Sequence, residues 1–277
     1  MNKKFVGKIL AAVVSLSMVI SITGCGKSKS TVNAAQTTKD TKLDQIKKSG
    51  KLVVGTSADY PPYEFHKSVN GNDKIIGFDI TIANEIAKNL GVKLEIKDMS
   101  FDGLLPALQT GNVDLVVAGM SPTDERKKSI DFSNVYYKSI NSVMVRTEDK
   151  DKIKTIADLK GKKVGVQKGT TQEQIAKDKM PGSEAKSLSK VTDLVLQLQN
   201  KKVDAIIVEA PVAASYANKN SNISVSGVKV ENEEQGSAIA FKKGNDDFVK
   251  AVNSTLDRLT KSNSINKFII DANNQVE

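Results

Sequence analysis

Apolar positions along the chain form short runs that alternate with longer segments of helical periodicity. In residues 78–90 apolar side chains recur every fourth position, and Gly91 follows, which predicts a helix that ends there. Residues 114–118 are almost wholly apolar and suit a buried parallel strand. Alternating strands and helices indicate an α/β fold. The elements predicted in the first half are residues 51–55, 78–90, 92–96, 104–108 and 114–118.

A helix-turn-strand pattern occurs twice. Residues 105–119 align without a gap on residues 195–209, and both segments carry Leu-Gln and then Val-Asp before an apolar strand. The repeat favours two lobes of similar topology, although coincidence stays open because Val-Asp is common at such junctions. Ligands of open α/β sheets bind beyond the carboxyl ends of the strands. Gly119 and Glu209 end the repeated strands, so we expect them to face each other across a cleft between the lobes.

The N-terminus has the pattern of a secretory signal. Three lysines precede an apolar stretch at residues 9–22, and no acidic residue occurs before Asp40. The stretch is too short for a good transmembrane span. Residues 22–25, Ile-Thr-Gly-Cys, resemble the lipobox of bacterial lipoproteins, in which Cys25 would carry the lipid. The alternative is an ordinary cleaved signal with a chance cysteine. We expect residues 1–24 to be the signal peptide of an extracytoplasmic protein anchored to the cell membrane by lipid.

The chain after the signal divides into a tether and a folded part. Residues 25–41 are mostly small and polar and cannot bury enough surface to order themselves, which predicts a flexible tether. Cys25 is the only cysteine, so the folded part has no intramolecular disulfide. We expect one lobe at residues 42–142 and 236–277 and a second lobe at residues 143–235.

Charge excludes some partners. The net charge is +9, and without the three signal-peptide lysines 38 basic residues face 32 acidic ones, a net charge of +6. The lysines are spread along the chain, which favours a solvated surface over a nucleic-acid interface. No second apolar run is long enough to cross a membrane, so the protein is not itself a channel.

Charged and hydrogen-bonding groups follow the predicted strands. Ser121 and Arg126 come after the strand at 114–118, and arginine can bind a carboxylate through two parallel hydrogen bonds. The alternative is a helix start with a surface arginine. Glu209 directly follows an apolar strand and could bind an ammonium group, or it could be a solvated loop acid.

A second possible anion site lies in the other half of the chain. Thr170 and Thr171 follow Gly169 at a predicted helix start, where free N–H groups can bind an anion. Thr170 and Glu173 also fit a capping box, which is compatible with anion binding. Together with Arg126, these groups suit a zwitterion such as a free amino acid.

The chain resembles the polar amino-acid family of ABC-transporter solute-binding proteins over nearly all of residues 43–270. The resemblance implies a type II periplasmic-binding-protein fold, in which each lobe is a mixed sheet flanked by helices. Two hinge strands would cross between the lobes, near residues 139–144 and 230–238. The motifs that carry the resemblance occur in order at residues 55–65, 77–80, 101–106, 118–126, 131–133, 169–172 and 203–209.

The resemblance implies a role for each candidate residue. Arg126, the N–H groups of Ser121 and Thr171, and Thr170 would bind the α-carboxylate. The Gly119 carbonyl, the Ser121 hydroxyl and the Glu209 carboxylate would bind the α-ammonium. Tyr60 and Phe101 would enclose the side chain of the ligand. The ligand-binding residues expected in this way are Ser57, Tyr60, Phe101, Gly119, Ser121, Arg126, Gln167, Thr170, Thr171 and Glu209.

This chain departs from the family at the side-chain subsite. Ser57 stands where relatives that bind glutamine or basic amino acids carry Asp, which weakens the case for a cationic ligand unless Asp59 or Glu64 substitutes. Gln167, a neutral residue, occupies another position that contacts side chains in relatives. Glu209 replaces the usual Asp at the ammonium site, which keeps the charge but changes its reach.

The expected function is capture of a polar L-amino acid by a monomer that delivers it to an ABC permease and its ATPase. No bond is broken in this cycle, and no cofactor or metal is expected. One alternative is an enzyme on the same fold, such as a dehydratase acting on a small carboxylic acid, and another is an amino-acid sensor or adhesin. The sole histidine, His66, lies in a polar stretch and is expected at the surface.

Overall fold

The computed structural model of the chain describes residues 40–230 and 236–276. The predicted signal peptide, the lipid-acceptor Cys25 and the tether up to residue 39 lie outside the described residues. Residues 231–235, within the second predicted crossing between the lobes, also lie outside them. Among residues 40–230 and 236–276, no helix has the length and apolar character needed to cross a membrane.

The described residues form alternating helices and strands. The first segment contains α1 (Lys42–Ser49), β1 (Lys51–Thr56), β2 (Asp59–Tyr60), β3 (Glu64–Val69), β4 (Asn72–Ile76), α2 (Phe78–Leu90), β5 (Lys93–Asp98), α3 (Phe101–Thr110), β6 (Leu115–Val116), α4 (Asp124–Lys127) and β7 (Ile130–Phe132). The second segment contains β8 (Asn141–Arg146), 3-10 turns at Thr147–Asp149 and Ile156–Leu159, β9 (Lys163–Gln167), α5 (Thr171–Lys179), β10 (Glu184–Leu188), α6 (Val191–Gln199), β11 (Ala205–Glu209), α7 (Ala210–Lys219) and β12 (Ile223–Val225). The last segment contains β13 (Ala240–Lys242), α8 (Asp246–Lys261) and α9 (Ser264–Gln275).

Two five-stranded sheets have the same topology. Their strand orders are β5-β1-β6-β13-β7 and β10-β9-β11-β8-β12. In each sheet the first three strands are parallel and the last two are antiparallel to their neighbours. We call the first sheet with its helices the first lobe, and the second sheet with its helices the second lobe. The predicted α/β architecture and the duplicated unit, now α3-β6 and α6-β11, are confirmed.

The fourth strand of each sheet shows how the chain passes between the lobes. Strand β8 follows the first lobe in the chain but pairs with β11 in the second sheet, and β13 returns to pair with β6 in the first. An antiparallel bridge joins Tyr137 to Ser237 between these two passages. Strand β8 already begins at Asn141, close to the predicted lobe boundary after residue 142, and the lobe limits stay a prediction.

Helix α2 forms and ends where the sequence pattern predicted, for local reasons. Its apolar stripe, which includes Phe78, Ile82 and Ile86, is fully buried against the first sheet. Gly91 adopts the left-handed conformation and its N–H donates to the carbonyls of Ala87 and Lys88, which ends the helix where the sequence predicted.

Two predicted elements have different lengths in the structure. Helix α3 begins at Phe101 rather than at 104 and ends at Thr110. Strand β6 covers Leu115 and Val116 only, although the N–H groups of Asp114 and Val117 also donate to β1 carbonyls, at 2.8 and 3.1 Å. The buried strand at 114–118 is therefore extended and paired over most of its predicted length.

The sequence prediction omitted a small third sheet, β2-β3-β4. Strands β3 and β4 form an antiparallel hairpin whose turn contains Asn70 and Gly71, both with positive φ, at 54° and 77°. Asn-Gly favours this type of hairpin turn, so the signal was present in the sequence. The hairpin matters for the site because β2 and β3 carry Tyr60 and Glu64.

Candidate functional site

A small cavity lies between the two lobes. All the ligand-binding residues predicted from the sequence line this one cavity, and the structure adds Glu64, Ala118 and Gln172. The full lining is Ser57, Tyr60, Glu64, Phe101, Ala118, Gly119, Ser121, Arg126, Gln167, Thr170, Thr171, Gln172 and Glu209.

Strand ends place the polar groups of this cavity. Ser57 directly follows β1, and Gly119 lies three residues beyond β6. In the second lobe, Gln167 and Glu209 are the last residues of β9 and β11. Because these strands are parallel within each sheet, their carboxyl ends open on the same edge. The predicted position of the site at the strand ends therefore agrees with the lining of the cavity.

Arg126 is a half-buried cation in the first lobe. Its Nη1 donates to the carbonyl of Ser121 at 2.8 Å, and its Nη2 donates to the carbonyl of Gly169 in the second lobe at 2.9 Å. The guanidinium carbon lies 5.4 Å from the ring centroid of Phe101, a cation–π distance. No carboxylate among the described residues forms an ion pair with Arg126, and burial lowers its pKa to about 10. A half-buried guanidinium with no carboxylate partner among the described residues is suited to bind an anion.

Two backbone N–H groups near Arg126 are available as donors. Within residues 40–230 and 236–276, the N–H groups of Ser121 and Thr171 donate to no protein acceptor. Thr171 is the first residue of α5, where helix geometry leaves N–H groups unpaired. With the guanidinium of Arg126, these groups could bind both oxygens of a carboxylate.

The start of α5 differs from the predicted capping box. The Thr170 hydroxyl accepts from the N–H of Glu173 at 3.2 Å, as expected of an N-cap residue. The Glu173 carboxylate, however, accepts from the N–H of Gly169 at 2.8 Å rather than from that of Thr170. Gly169 has a φ of 79°, which turns its N–H toward the first turn of the helix. The Glu173 carboxylate therefore reaches one residue further back than in a capping box, to Gly169 instead of Thr170.

Glu209 is a buried carboxylate in the second lobe, 8% exposed. It accepts a hydrogen bond from the hydroxyl of Tyr63, and its backbone N–H donates to the Tyr60 hydroxyl at 3.0 Å. Burial raises the pKa of Glu209 to about 7 despite this donor. The alternative of a solvated loop acid is wrong, because the side chain lies inside the cavity between the lobes. An ammonium group would supply the counter-charge that the buried carboxylate lacks.

Asp59 lies behind the cavity, where the lobes meet. Its carboxylate accepts from the N–H of Val191, at the start of α6, at 2.6 Å, and from the amide of Gln167 at 3.3 Å. The Ser57 hydroxyl donates to it at 3.2 Å, and the Tyr216 hydroxyl donates to its backbone carbonyl at 2.8 Å. Burial raises the pKa of Asp59 to about 6. Asp59 therefore joins the lobes and orients Ser57 and Gln167, which face the cavity.

The aromatic lining packs in a cluster. The rings of Tyr60 and Tyr63 lie 5.4 Å apart, and Tyr63 also contacts Phe78 and Tyr137. Tyr63 was not among the residues predicted for the site. Its position directly after two prolines was the only sequence feature that could have indicated it. Tyr60 and Phe101 both line the cavity as expected, and both are 9% exposed.

The single histidine is not part of this site. His66 is exposed at the surface, with Nδ1 2.7 Å from Asp73 and Nε2 3.3 Å from Asp98. The surface position predicted for it is confirmed. No group of three or more His, Cys, Asp or Glu residues suited to hold a metal occurs in the described part of the chain.

The sequence matches the family described as bacterial extracellular solute-binding proteins, family 3, over residues 52–270. The chain belongs to this family. A similar relative is the arginine-binding extracellular protein ArtP of Bacillus subtilis (strain 168), 37% identical over 265 residues. The alignment covers 92% of this chain and 96% of ArtP. The resemblance predicted from the sequence motifs is therefore confirmed.

Solved structures of two amino-acid-binding proteins are similar to this solute-binding protein. The amino acid ABC transporter substrate-binding protein AbpA from Streptococcus pneumoniae Canada MDR_19A, bound to L-arginine, has a TM-score of 0.83 at 39% identity and covers 84% of this chain and 98% of its own. The ancestral amino acid-binding protein AncCDT-1, a precursor of cyclohexadienyl dehydratase, has a TM-score of 0.76 at 37% identity and covers 83% of this chain and 98% of its own. These similarities confirm the predicted two-lobed fold.

Proposed function

We propose that this solute-binding protein captures a polar L-amino acid between its lobes and delivers it to an ABC permease and its ATPase. One observation carries the proposal: Arg126 of the first lobe and Glu209 of the second line the same cavity, and neither forms an ion pair with another described residue. A zwitterion would pair with both at once. The buried carboxylate and the half-buried guanidinium would then each have a counter-charge.

The assignment of groups follows from their chemistry. Arg126 and the free N–H groups of Ser121 and Thr171 bind the α-carboxylate, with Thr170 ordering the helix start. The α-ammonium is bound by the Gly119 carbonyl, the Ser121 hydroxyl and Glu209. Because the two ends of the ligand contact different lobes, the ligand stabilises the closed form more than the open form. That difference in binding free energy drives hinge closure.

Within the polar amino acids, we propose that the ligand is cationic, with arginine as the first candidate. The names of ArtP and of the AbpA complex supply one line of support. The second is charge: Asp59, Asp79 and Glu209 are buried near the cavity, and Arg126 is the one cation that lines it among the described residues. A net excess of buried carboxyl groups favours a ligand with a positive side chain.

Calorimetric titration of the purified protein, refolded to remove carried ligand, tests the proposal. The ligands are the twenty amino acids with ornithine and cystine. We expect micromolar or tighter binding of arginine and weaker binding of neutral amino acids such as glutamine. If the folded protein binds no amino acid, the proposed function is wrong. Family membership would then support the fold but not the function.

A dehydratase-like enzyme is the alternative function, and AncCDT-1 shows that binding proteins of this fold can lie near such enzymes. Glu209, with its pKa raised to about 7, would be the general acid of that reaction. We favour binding because the carboxylate of Glu209 already accepts a hydrogen bond from the hydroxyl of Tyr63, which favours its ionised, accepting form. Loss of small carboxylic acids from solution on incubation with the protein would support the enzyme. A sensor or adhesin shares the binding step and differs only in its partners.

The family and the N-terminal sequence indicate where the protein acts. The family is extracellular, and we propose that residues 1–24 are removed and that a lipid on Cys25 holds the protein at the outer side of the cell membrane. Residues 25–41 would then space the lobes from the membrane. We propose that the protein acts as a monomer, since each chain contains both halves of the site.

A further inference from the structure

Two buried carboxyl groups behind the Gly119 wall of the cavity lie against each other. Glu64 is the first residue of β3 and Asp79 lies in the first turn of α2, and their side chains are 1% and 0% exposed. Glu64 Oε2 and Asp79 Oδ1 have no hydrogen-bond partner when both groups are treated as carboxylates. The two carboxyl groups lie within hydrogen-bonding reach of each other, so a single proton between them would satisfy both.

The surroundings determine which group holds the proton. Asp79 Oδ2 accepts two hydrogen bonds, from the N–H of Gly119 at 2.9 Å and from the hydroxyl of Tyr136 at 2.8 Å. These donors stabilise the ionised form of Asp79, whereas Glu64 receives none from the described residues. Two adjacent buried carboxyl groups do not both ionise at neutral pH. Burial and the neighbouring Asp79 raise the pKa of Glu64 well above its ordinary value, and the pKa of Asp79 rises only to about 6.

We infer that Glu64 carries a proton at neutral pH and donates it in a hydrogen bond to Asp79, and that Asp79 in turn fixes the Gly119 segment of the binding wall. Glu64 and Asp79 are thus positioning residues. The role of Gly119 in this inference rests on the proposed function, in which its carbonyl binds the α-ammonium. The protonation of Glu64 does not depend on any ligand.

The Gly119 segment needs such support. Gly119 has a φ of 55°, and a Cβ at this position would lie 3.3 Å from the Tyr63 ring. The hydrogen bond from its N–H to Asp79 holds the Ala118–Gly119 peptide, which directly precedes the Gly119 carbonyl. Tyr136, the second donor to Asp79, precedes the Tyr137–Ser237 bridge where the chain crosses between the lobes. Asp79 therefore connects the binding wall to the crossing.

Other ionisable groups surround the pair and set the conditions of a test. Glu209, whose pKa is about 7, and Asp59, whose pKa is about 6, are both ionised above pH 8. Each would raise the pKa of Glu64 further by repulsion. The ionisable groups that face Glu64 or line the same cavity are Asp59, Tyr60, Tyr63, Asp79, Arg126, Tyr136 and Glu209.

Infrared spectroscopy of the ligand-free protein at pH 8.5 tests the protonation directly. Protonated carboxylic acids absorb at a C=O stretching frequency distinct from that of carboxylates. We expect the wild type to keep one such band at this pH, and Glu64→Gln to lose it. Glu95→Gln, which changes an exposed glutamate paired with Lys51, is the matched control and should keep the band. Absence of the band in the wild type, or its persistence in Glu64→Gln, overturns the inference.

Binding supplies the second readout, with L-arginine as the probe. Glutamine at position 64 can donate its amide N–H to Asp79 as the protonated acid does. We therefore expect Glu64→Gln to bind within about threefold of the wild type at pH 7. At high pH both proteins lose affinity as Arg126, whose pKa is about 10, and the ligand ammonium lose their protons. The wild type should lose more affinity than Glu64→Gln, because Glu64 also ionises. An equal loss in the two proteins contradicts the positioning role. If neither binds arginine at any pH, the proposed ligand fails while the infrared result still decides the protonation.

Discussion

The Arg126 guanidinium in the first lobe donates a hydrogen bond of 2.9 Å to the carbonyl of Gly169 in the second. Gly169 immediately precedes the helix start at Thr170 and Thr171, so this bond aligns the cation with the free N–H groups of that helix. Arg126 thus has two effects, since it attracts an anion and it joins the lobes once they close.

Replacing Arg126 by Ala should abolish tight binding. The ligand carboxylate would be buried without its cation, which costs roughly 3–5 kcal/mol. Calorimetric titration with the best ligand measures the loss. Arg126→Lys should recover only part of it, because lysine keeps the charge but cannot form two parallel hydrogen bonds.

Arg258→Ala is the control for this prediction. Arg258 lies on α8, half exposed, and pairs with Glu85 at 2.8 Å on the surface. Its loss should change the binding free energy by about 0.5 kcal/mol or less. Near-normal affinity of Arg126→Ala would place the carboxylate site elsewhere.

Affinity should fall as the pH decreases from 8 to 6. Burial raises the pKa of Glu209 to about 7 in the ligand-free protein, and the ammonium needs the ionised form. Near pH 8 most of the Glu209 carboxylate is ionised, so affinity changes little there. Below pH 7 binding must first remove a proton, so affinity decreases and approaches about tenfold per pH unit. Titrations at several pH values measure the slope.

Glu209→Gln separates the titration of Glu209 from that of other groups between pH 8 and 6. The amide cannot titrate, so the variant should bind weakly but with no slope between pH 8 and 6. The pKa of Asp59 is about 6, and its ionisation therefore affects mainly the lower end of this range. A slope of wild-type size in Glu209→Gln would assign the titration to another group.

Asp59→Ala should weaken the binding of every ligand by a similar factor. Asp59 joins the first lobe to the start of α6 and to Gln167, so its removal loosens the closed form rather than one ligand contact. We expect a loss of roughly 1–3 kcal/mol, or about 5- to 150-fold. Calorimetric titration with arginine and with a neutral amino acid measures the loss of affinity for each ligand.

Two comparisons make the Asp59 prediction decisive. Asp59→Asn keeps an acceptor for the N–H of Val191 and should retain most of the affinity. Asp73→Ala, an exposed aspartate that contacts His66, should have no effect. A loss confined to cationic ligands would mean that Asp59 contacts the ligand side chain directly.

Cys25→Ser should release the protein from the membrane. Without the thiol no lipid can be attached, and the mature chain would appear in the soluble fraction or the medium. Fractionation of cells that express each variant measures this, with Ser28→Ala as the control. Persistent membrane attachment of Cys25→Ser would mean that an uncleaved signal, rather than a lipid, anchors the protein.

Local signals were sufficient for much of the fold and for the position of the site. Helix α2 ends at Gly91 because glycine adopts the left-handed conformation there, and this needs no tertiary information. The ends of parallel strands lie at one edge of a sheet, so Gly119 and Glu209 could be placed at one cleft from the strand pattern, whereas Gln167 was assigned through the family resemblance.

Contacts between segments that are distant in the chain could not be predicted from the sequence. The hydrogen bonds from Tyr63 to Glu209 and from Val191 to Asp59 join residues more than a hundred positions apart. Nothing in the local pattern indicates that Glu64 and Asp79 meet, because their contact depends on how the β3-β4 hairpin packs on α2. The hairpin itself was predictable from Asn70-Gly71, and recognising it would have brought Glu64 closer to the site.

The crystal structure of the protein with its bound amino acid tests the central claim most directly. We predict that the ligand carboxylate contacts Arg126 and the N–H groups of Ser121 and Thr171, and that its ammonium contacts Glu209 of the opposite lobe. A ligand bound to one lobe only, or with its carboxylate away from Arg126, would contradict closure by a ligand that bridges the two buried charges.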